Sequence, residues 1–389
     1  MPANAKTPLT PIQSKLPNVG TTVFAVMSQL AQQHNAINLG QGFPDFACSP
    51  ELVGLVAQAM RDGHNQYAPM PGLMALREQI AAKTERLYGH TPDSETEITV
   101  TSGGTEALFA AISAVVRPGD EVLVVEPCYD SYVPAIELNG GIPVSIPLIP
   151  GDFSLDFDLL KSKISPRTRA LMINTPHNPT GTILRQSDIR KIAGLLRDTD
   201  IFLISDEVYE HIIFDGEPHH SVLREPDLRD RTFVISSFGK TYHVTGWKLG
   251  YCIAPKALTK EFRKVHQYLT FSSFTPLQHA LAEYLKQPEH YRQLPDFYQQ
   301  KRDFFLGLMR QTRFAFRPCA GSYFALASYA HLTDEPDYDY AIRLTKEIGV
   351  AAVPLSVFYQ DKTDGKLLRF CFAKTEDTLE RAAERLVKI

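Results

Sequence analysis

Residues 236–251, SSFGKTYHVTGWKLGY, place Lys240 and Lys248 eight positions apart among small and aromatic side chains. The segment begins inside TFVISS (232–237), an apolar run that reads as a buried strand. An amine among lining residues suits either a phosphate-binding loop or a lysine that reacts covalently. A nucleotide phosphate loop requires G-x-x-x-x-G-K-[ST]. The position five before Gly239 is Val234, so the first glycine is missing and that reading falls. The chain also lacks G-x-G-x-x-G, which removes the usual dinucleotide signature.

Four further segments carry polar residues where apolar runs end. TSGGTEAL (101–108) passes from a strand through two glycines into a helix. Such a turn either offers backbone N–H groups to an anion or is a plain helix start with Thr105 as N-cap. NTPHNPTG (174–181) is a rigid polar turn in which Asn178 can donate an amide or simply shape the loop. ISDEVYEH (204–211) ends a buried strand on Asp206, a costly carboxylate unless it meets a cation or a donor, with Tyr209 three residues on. LLRFCFA (367–373) embeds Arg369 in an apolar strand, which calls for an anionic ligand or a structural salt bridge.

The elements that must position these residues alternate. Strands are expected at 97–101, 121–126, 142–148, 168–174, 201–205, 232–237 and 249–254, with helices between several of them. Apolar strands separated by helices imply a mainly parallel sheet covered on both faces, with chemistry at its C-terminal edge. From Pro255 to about Arg313 the pattern becomes helical. It then returns to short strands, VAAVP (350–354) among them, and ends in a helix from Thr375. The expected class is α/β, with a large domain at 45–285, a smaller α+β domain at 286–389, and an N-terminal arm at 1–44 that joins the smaller one.

A net charge of −4 without a long basic run argues against nucleic acid as the main partner. No apolar segment is long enough to span a bilayer, and the N-terminus lacks a signal-peptide core, so a cytoplasmic protein is expected. The five cysteines are scattered, which predicts neither disulfides nor a metal site.

A phosphate cradle, an amide, a buried acid, a loop lysine and a lone arginine together fit one cofactor, pyridoxal 5′-phosphate. Its aldehyde takes a lysine amine, its pyridine nitrogen an acid, and its phosphate backbone N–H groups with a cation. A substrate carboxylate then takes an arginine.

Six ordered motifs make the chain recognisable: NLGQGFPDF, NQYAPMPGLMALREQI, NTPHNPTG, SDEVYE, SSFGKTYHVTGWKLGY and LLRFCFA. Over nearly its whole length it resembles the class I/II aminotransferases of pyridoxal-phosphate fold type I. It is most similar to the branch holding bacterial methionine aminotransferases and kynurenine aminotransferases. The resemblance implies a seven-stranded, mainly parallel sheet. It makes Lys240 the cofactor-bearing amine and proton carrier. By the same resemblance, Asp206 would pair with the ring nitrogen, and Asn178 and Tyr209 with the ring oxygen. Gly104, Thr105, Ser237 and Lys248 would hold the phosphate, and Tyr129 would stack on the ring, with Cys128 behind it. Arg369, Gly42 and Asn178 would hold the substrate carboxylate.

Tyr67 and Phe274 resemble residues that reach a partner subunit's site, which implies a homodimer with shared active sites. Lys248 stands where the wider family often has arginine. The expected substrates are an amino acid and a 2-oxo acid. With no second selecting arginine, and with Phe24, Phe43, Tyr67, Tyr129, Phe274 and Tyr323 as candidate pocket residues, methionine and aromatic amino acids are expected. Alternatives on the same motifs are a cysteine-conjugate β-lyase and a kynurenine or glutamine transaminase. A regulator using this fold would carry an N-terminal DNA-binding domain, and fewer than 40 residues precede NLGQGFPDF.

Overall fold

A computed structural model describes residues 12–389. The first eleven positions of the expected arm lie outside the described residues. Seven strands form the large sheet: β2 (Ile98–Thr101), β3 (Glu121–Glu126), β4 (Ile142–Pro147), β5 (Thr168–Asn174), β6 (Phe202–Asp206), β7 (Thr232–Ser237) and β8 (Gly250–Ile253). Their spatial order is β2-β8-β7-β6-β5-β3-β4. Strands β4, β3, β5, β6 and β7 run parallel, and β8 is antiparallel to both β7 and β2. The expected mainly parallel seven-stranded sheet is therefore present. Strand β3 is buried along its whole length, because helices cover both faces, so its sequence EVLVVE shows no alternation. No helix among the described residues is long and apolar enough to cross a membrane.

A second sheet, β12-β13-β10-β9, is antiparallel and comprises β9 (Ala315–Phe316), β10 (Phe324–Ser328), β12 (Val353–Pro354) and β13 (Leu367–Cys371). A parallel pair, β1 (Ile37–Asn38) with β11 (Val350–Ala351), ties the N-terminal segment to the C-terminal third. VAAVP is thus not one strand. It divides at Ala352 between two sheets, because its two ends pair with different neighbours. Helices at Val23–Gln33, Pro50–Arg61 and Met74–Tyr88 were not among the expected elements. The last of these buries Arg77, Lys83 and Thr84 on its inner face, which breaks the apolar stripe a sequence reader looks for.

Lys83 is the centre of a buried polar cluster behind the large sheet's edge. Its ammonium donates to Glu210 Oε1 at 2.6 Å and to the Tyr251 hydroxyl at 2.7 Å, and Tyr88 donates to the other Glu210 oxygen. Burial pushes the Glu210 carboxyl up, but Lys83, His211 and these hydrogen bonds outweigh it and hold the group below its usual range. Neighbouring Glu207 accepts from Ser205 at 2.8 Å and lies 2.8 Å from His219 Nε2. The turn after β6 is therefore fastened from behind. Removing one partner of a buried pair strands the other charge, so Lys83→Met should lower the unfolding free energy by about 3–5 kcal/mol. Denaturant unfolding reads this directly, and a loss below about 1 kcal/mol would mean that solvent already reaches the pair.

Candidate active site

A cavity of about 360 Å³ opens at the C-terminal ends of β5, β6 and β7. The segments singled out in the sequence converge on it. The strand ends and their loops supply Asn174, Asn178, Asp206, Tyr209, Ser237, Lys240 and Lys248. The start of the helix Gly104–Val115 supplies Gly103, Gly104 and Thr105, and strand β13 supplies Arg369. The segment after β1 adds Gln41, Gly42 and Phe43.

One end of the cavity is built for an anion. The helix Gly104–Val115 presents free backbone N–H groups there, at its positive dipole end. Its N-cap is Gly103, not Thr105, with φ at 84°, a left-handed conformation that costs glycine nothing. A Cβ at Gly103 would also lie 3.5 Å from Lys248 Nζ, so the cation sits directly over this turn. Ser237 lines the same wall.

Asp206 lies in the middle of the cavity wall and is buried. Its Oδ2 accepts from the Tyr132 hydroxyl at 2.6 Å and its Oδ1 from the Val208 backbone N–H at 3.2 Å. Burial pushes its carboxyl up to about 6, against the pull of these two hydrogen bonds. A cation in the cavity would restore the ionised form. Asn174 braces the site from behind: its amide donates to the Asp206 carbonyl at 2.8 Å, and its Oδ1 accepts from the Asn178 N–H at 2.7 Å. Tyr129 lines the cavity. Cys128 beside it is buried, and burial drives its thiol far above the range of a nucleophile.

Lys240 reaches the cavity from the short helix Phe238–Thr241. Its Nζ lies 3.2 Å from the Gly42 carbonyl and 3.0 Å from the Tyr323 hydroxyl. Burial pushes its amine down to about 8.

Arg369 borders the same cavity and is only 1% exposed. It donates to Asn178 Oδ1 at 2.6 Å and to the Gly40 carbonyl at 2.9 Å, while its Nε has no partner. Its guanidinium lies 3.9 Å from the Phe324 ring centroid. Among the described residues no carboxylate pairs with it, so it is not a structural salt bridge. Burial pushes its pKa down to about 10, which leaves it charged near neutrality. A buried cation that borders a cavity and has no carboxylate partner is chemically suited to an incoming anion.

The remaining candidates divide. Phe24 and Phe43 line the cavity with Tyr129, but Tyr67, Phe274 and Tyr323 do not. Tyr67 is 80% exposed with its ring edge on Phe271, and Phe274 is exposed at the start of the helix Thr275–Tyr284. Tyr323 is buried behind Lys240 because Phe324, its neighbour in sequence, takes the lining position. Sequence reasoning passed over Tyr132, Asn174, Gln41 and Phe324. Asn174 was visible as the polar residue closing β5, and Phe324 as the ring next to a candidate; nothing in the sequence marks Tyr132.

The chain is similar to known proteins over nearly all of its length. The profile of the family "Aminotransferase class I and II" matches residues 34–386. Methionine aminotransferase of Escherichia coli (strain K12) is 54% identical over 380 residues, covering 97% of this chain and 98% of that protein. A kynurenine–oxoglutarate transaminase of Dictyostelium discoideum is 34% identical over 411 residues, covering 95% and 94%. The crystal structure of YbdL from Escherichia coli, identified there as having a methionine aminotransferase function, superimposes with a TM-score of 0.96 at 54% identity, covering 98% of this chain and 100% of that one. The donor-lined anion end, the buried acid and the cavity amine fit the cofactor of that family. The chain belongs to the class I and II aminotransferases and is a pyridoxal-phosphate enzyme.

Proposed function

We propose that this chain moves the amino group of methionine, and of large neutral or aromatic L-amino acids, onto a 2-oxo acid. The observation that carries the reading is that Lys240, Asp206 and Arg369 line one cavity together with Lys248 and the first turn of the helix Gly104–Val115, a place suited to a phosphate. When bound, pyridoxal phosphate supplies an aldehyde for an amine and an electron sink for charge left at the substrate Cα.

The chain's own residues do the rest. Lys240 would hold the cofactor's aldehyde carbon and would take and return the proton at the substrate Cα, as base and then acid. An amine held near 8 is suited to both tasks close to neutral pH. Asp206, fixed by Tyr132, would keep the ring nitrogen protonated by ion pairing. Asn178 and Tyr209 would serve the ring oxygen. Gly104, Thr105, Ser237 and Lys248 would take the phosphate, and Tyr129 would pack on the ring. Arg369, held in plane by Asn178 and Gly40, fixes the substrate carboxylate with help from the Gly42 backbone.

Substrate choice rests on what is left of the lining. Apart from Lys240, Lys248 and Arg369, no cation lines the cavity among the described residues, while Phe24, Phe43 and Phe324 do. Such walls suit a thioether or an aromatic side chain. They discriminate weakly, at about 1–3 kcal/mol per methylene, so several neutral donors should serve.

The reading includes a homodimer in the cytoplasm. Tyr67, Tyr268, Phe271 and Phe274 are exposed aromatics, 80%, 91%, 39% and 44% open, of the kind a partner subunit covers. Sedimentation would report a monomer if that part is wrong.

Borohydride reduction followed by peptide mapping tests the centre of the proposal. The expected result is a reduced pyridoxyl group on Lys240; label on another lysine, or on none, would sink it. A panel of amino donors then tests the pocket: methionine and phenylalanine should outperform aspartate.

A further inference from the structure

Tyr323 is fully buried, with its ring edge-on to Tyr209 at 5.1 Å and to Phe324 at 4.9 Å. Its hydroxyl meets the one amine whose reactivity matters. The hydroxyl donates its proton to the Gly42 carbonyl at 2.6 Å. A phenol has one proton to give, so its oxygen is left as an acceptor. Lys240 Nζ donates to that oxygen at 3.0 Å and to the same Gly42 carbonyl at 3.2 Å.

We infer that Tyr323 is the docking group of the Lys240 amine whenever that amine is free, and that it aims the transferable proton into the cavity. An ammonium has three N–H donors. Two are taken by Gly42 and Tyr323, so the third is left for the cavity that Lys240 lines. The neutral amine held by the same two acceptors directs its lone pair into that space. Without the hydroxyl, a four-carbon side chain beside a cavity of about 360 Å³ is free to point elsewhere. The inference rests on the proposed role of Lys240, and it gives Tyr323 direct contact with a reacting atom.

The test is Tyr323→Phe, which keeps the buried ring and removes only the hydroxyl. In cofactor-free enzyme, the rate at which an amine-directed acylating reagent labels Lys240 is followed against pH by peptide mapping. Lys240 also faces Asp206, Arg369, Lys248, Cys371 and Tyr209, all of which the variant retains. Loss of an acceptor that favours the charged amine should lower the labelling midpoint by about one pH unit. In the loaded enzyme, kcat should fall about tenfold with little change in KM, since proton transfer and not binding is disturbed.

Tyr298→Phe is the control. Tyr298 is a neighbouring buried tyrosine whose hydroxyl lies 2.9 Å from His243 Nδ1. It should leave the Lys240 midpoint where it is. An unchanged midpoint or an unchanged kcat in Tyr323→Phe, or an equal midpoint shift in Tyr298→Phe, would overturn the assignment. The labelling needs no cofactor, so its outcome is separable from failure of the borohydride trap in the wild-type enzyme, which would count against Lys240 as the anchor.

Discussion

Lys240→Ala should lower kcat by about 10⁴-fold or more and leave a folded protein. The step at stake moves a proton off Cα, and no other group is placed to take it. Asp206 is engaged by Tyr132 and Val208, and burial drives the Tyr209 phenol well above neutral range. Little stability is lost, because the Lys240 side chain makes only two hydrogen bonds and Asp206 keeps its Tyr132 and Val208 donors. Lys240→Arg separates charge from proton transfer. A guanidinium keeps the positive charge but never becomes a base, so this variant should fall as far as alanine. Steady-state turnover of methionine with a 2-oxo acid reads both variants. If Lys240→Arg kept a tenth of the wild-type rate, charge and not proton transfer would be the function of residue 240.

Arg369→Ala should cut kcat/KM for amino-acid donors by about 10²–10³-fold, the loss expected when one partner of a buried charged contact is truncated. Cofactor retention should be unaffected, because the proposed phosphate-holding groups, Gly104, Thr105, Ser237 and Lys248, make no hydrogen bond with Arg369 among the described residues. Thermal stability should hold or rise, since the variant removes a buried cation with no carboxylate partner among the described residues. These three readings together distinguish a substrate-binding arginine from a structural one, whose loss would lower stability and cofactor binding along with turnover. Arg369→Lys should restore little, because a point charge cannot reproduce the fork that Asn178 and Gly40 now hold in plane.

Much of this site could be read before any coordinates. Asp206 ends an apolar run and Arg369 interrupts one, while Asn178 and Lys240 sit in the short segments just beyond strand ends, and a polar group in such a place needs a reason. The large sheet was legible for a related cause: its inner parallel strands centre on apolar runs, so their lengths and spacing survive in the sequence. What stayed hidden lacked a pattern. Tyr132 sits in a short helix, Tyr132–Leu138, and nothing marks its hydroxyl as reaching Asp206. The helix Met74–Tyr88 hides because its inner face carries Lys83, whose partner Glu210 is 127 positions away. Tyr323 and Phe324 exchanged roles, since which of two adjacent rings faces a cavity depends on strand register.

Arg369 donates to the carbonyl of Gly40 across 329 positions of chain. That span fixes when the enzyme can first work. A ribosome delivers about 5–20 residues per second, and domains fold as they emerge. The large sheet is complete in sequence at Ile253, and its strand ends already include the lysine, the acid and the cradle. The carboxylate clamp arrives only with the final strand. During synthesis the residues of the large sheet that line the cavity are therefore made well before Arg369, which comes with the last strand.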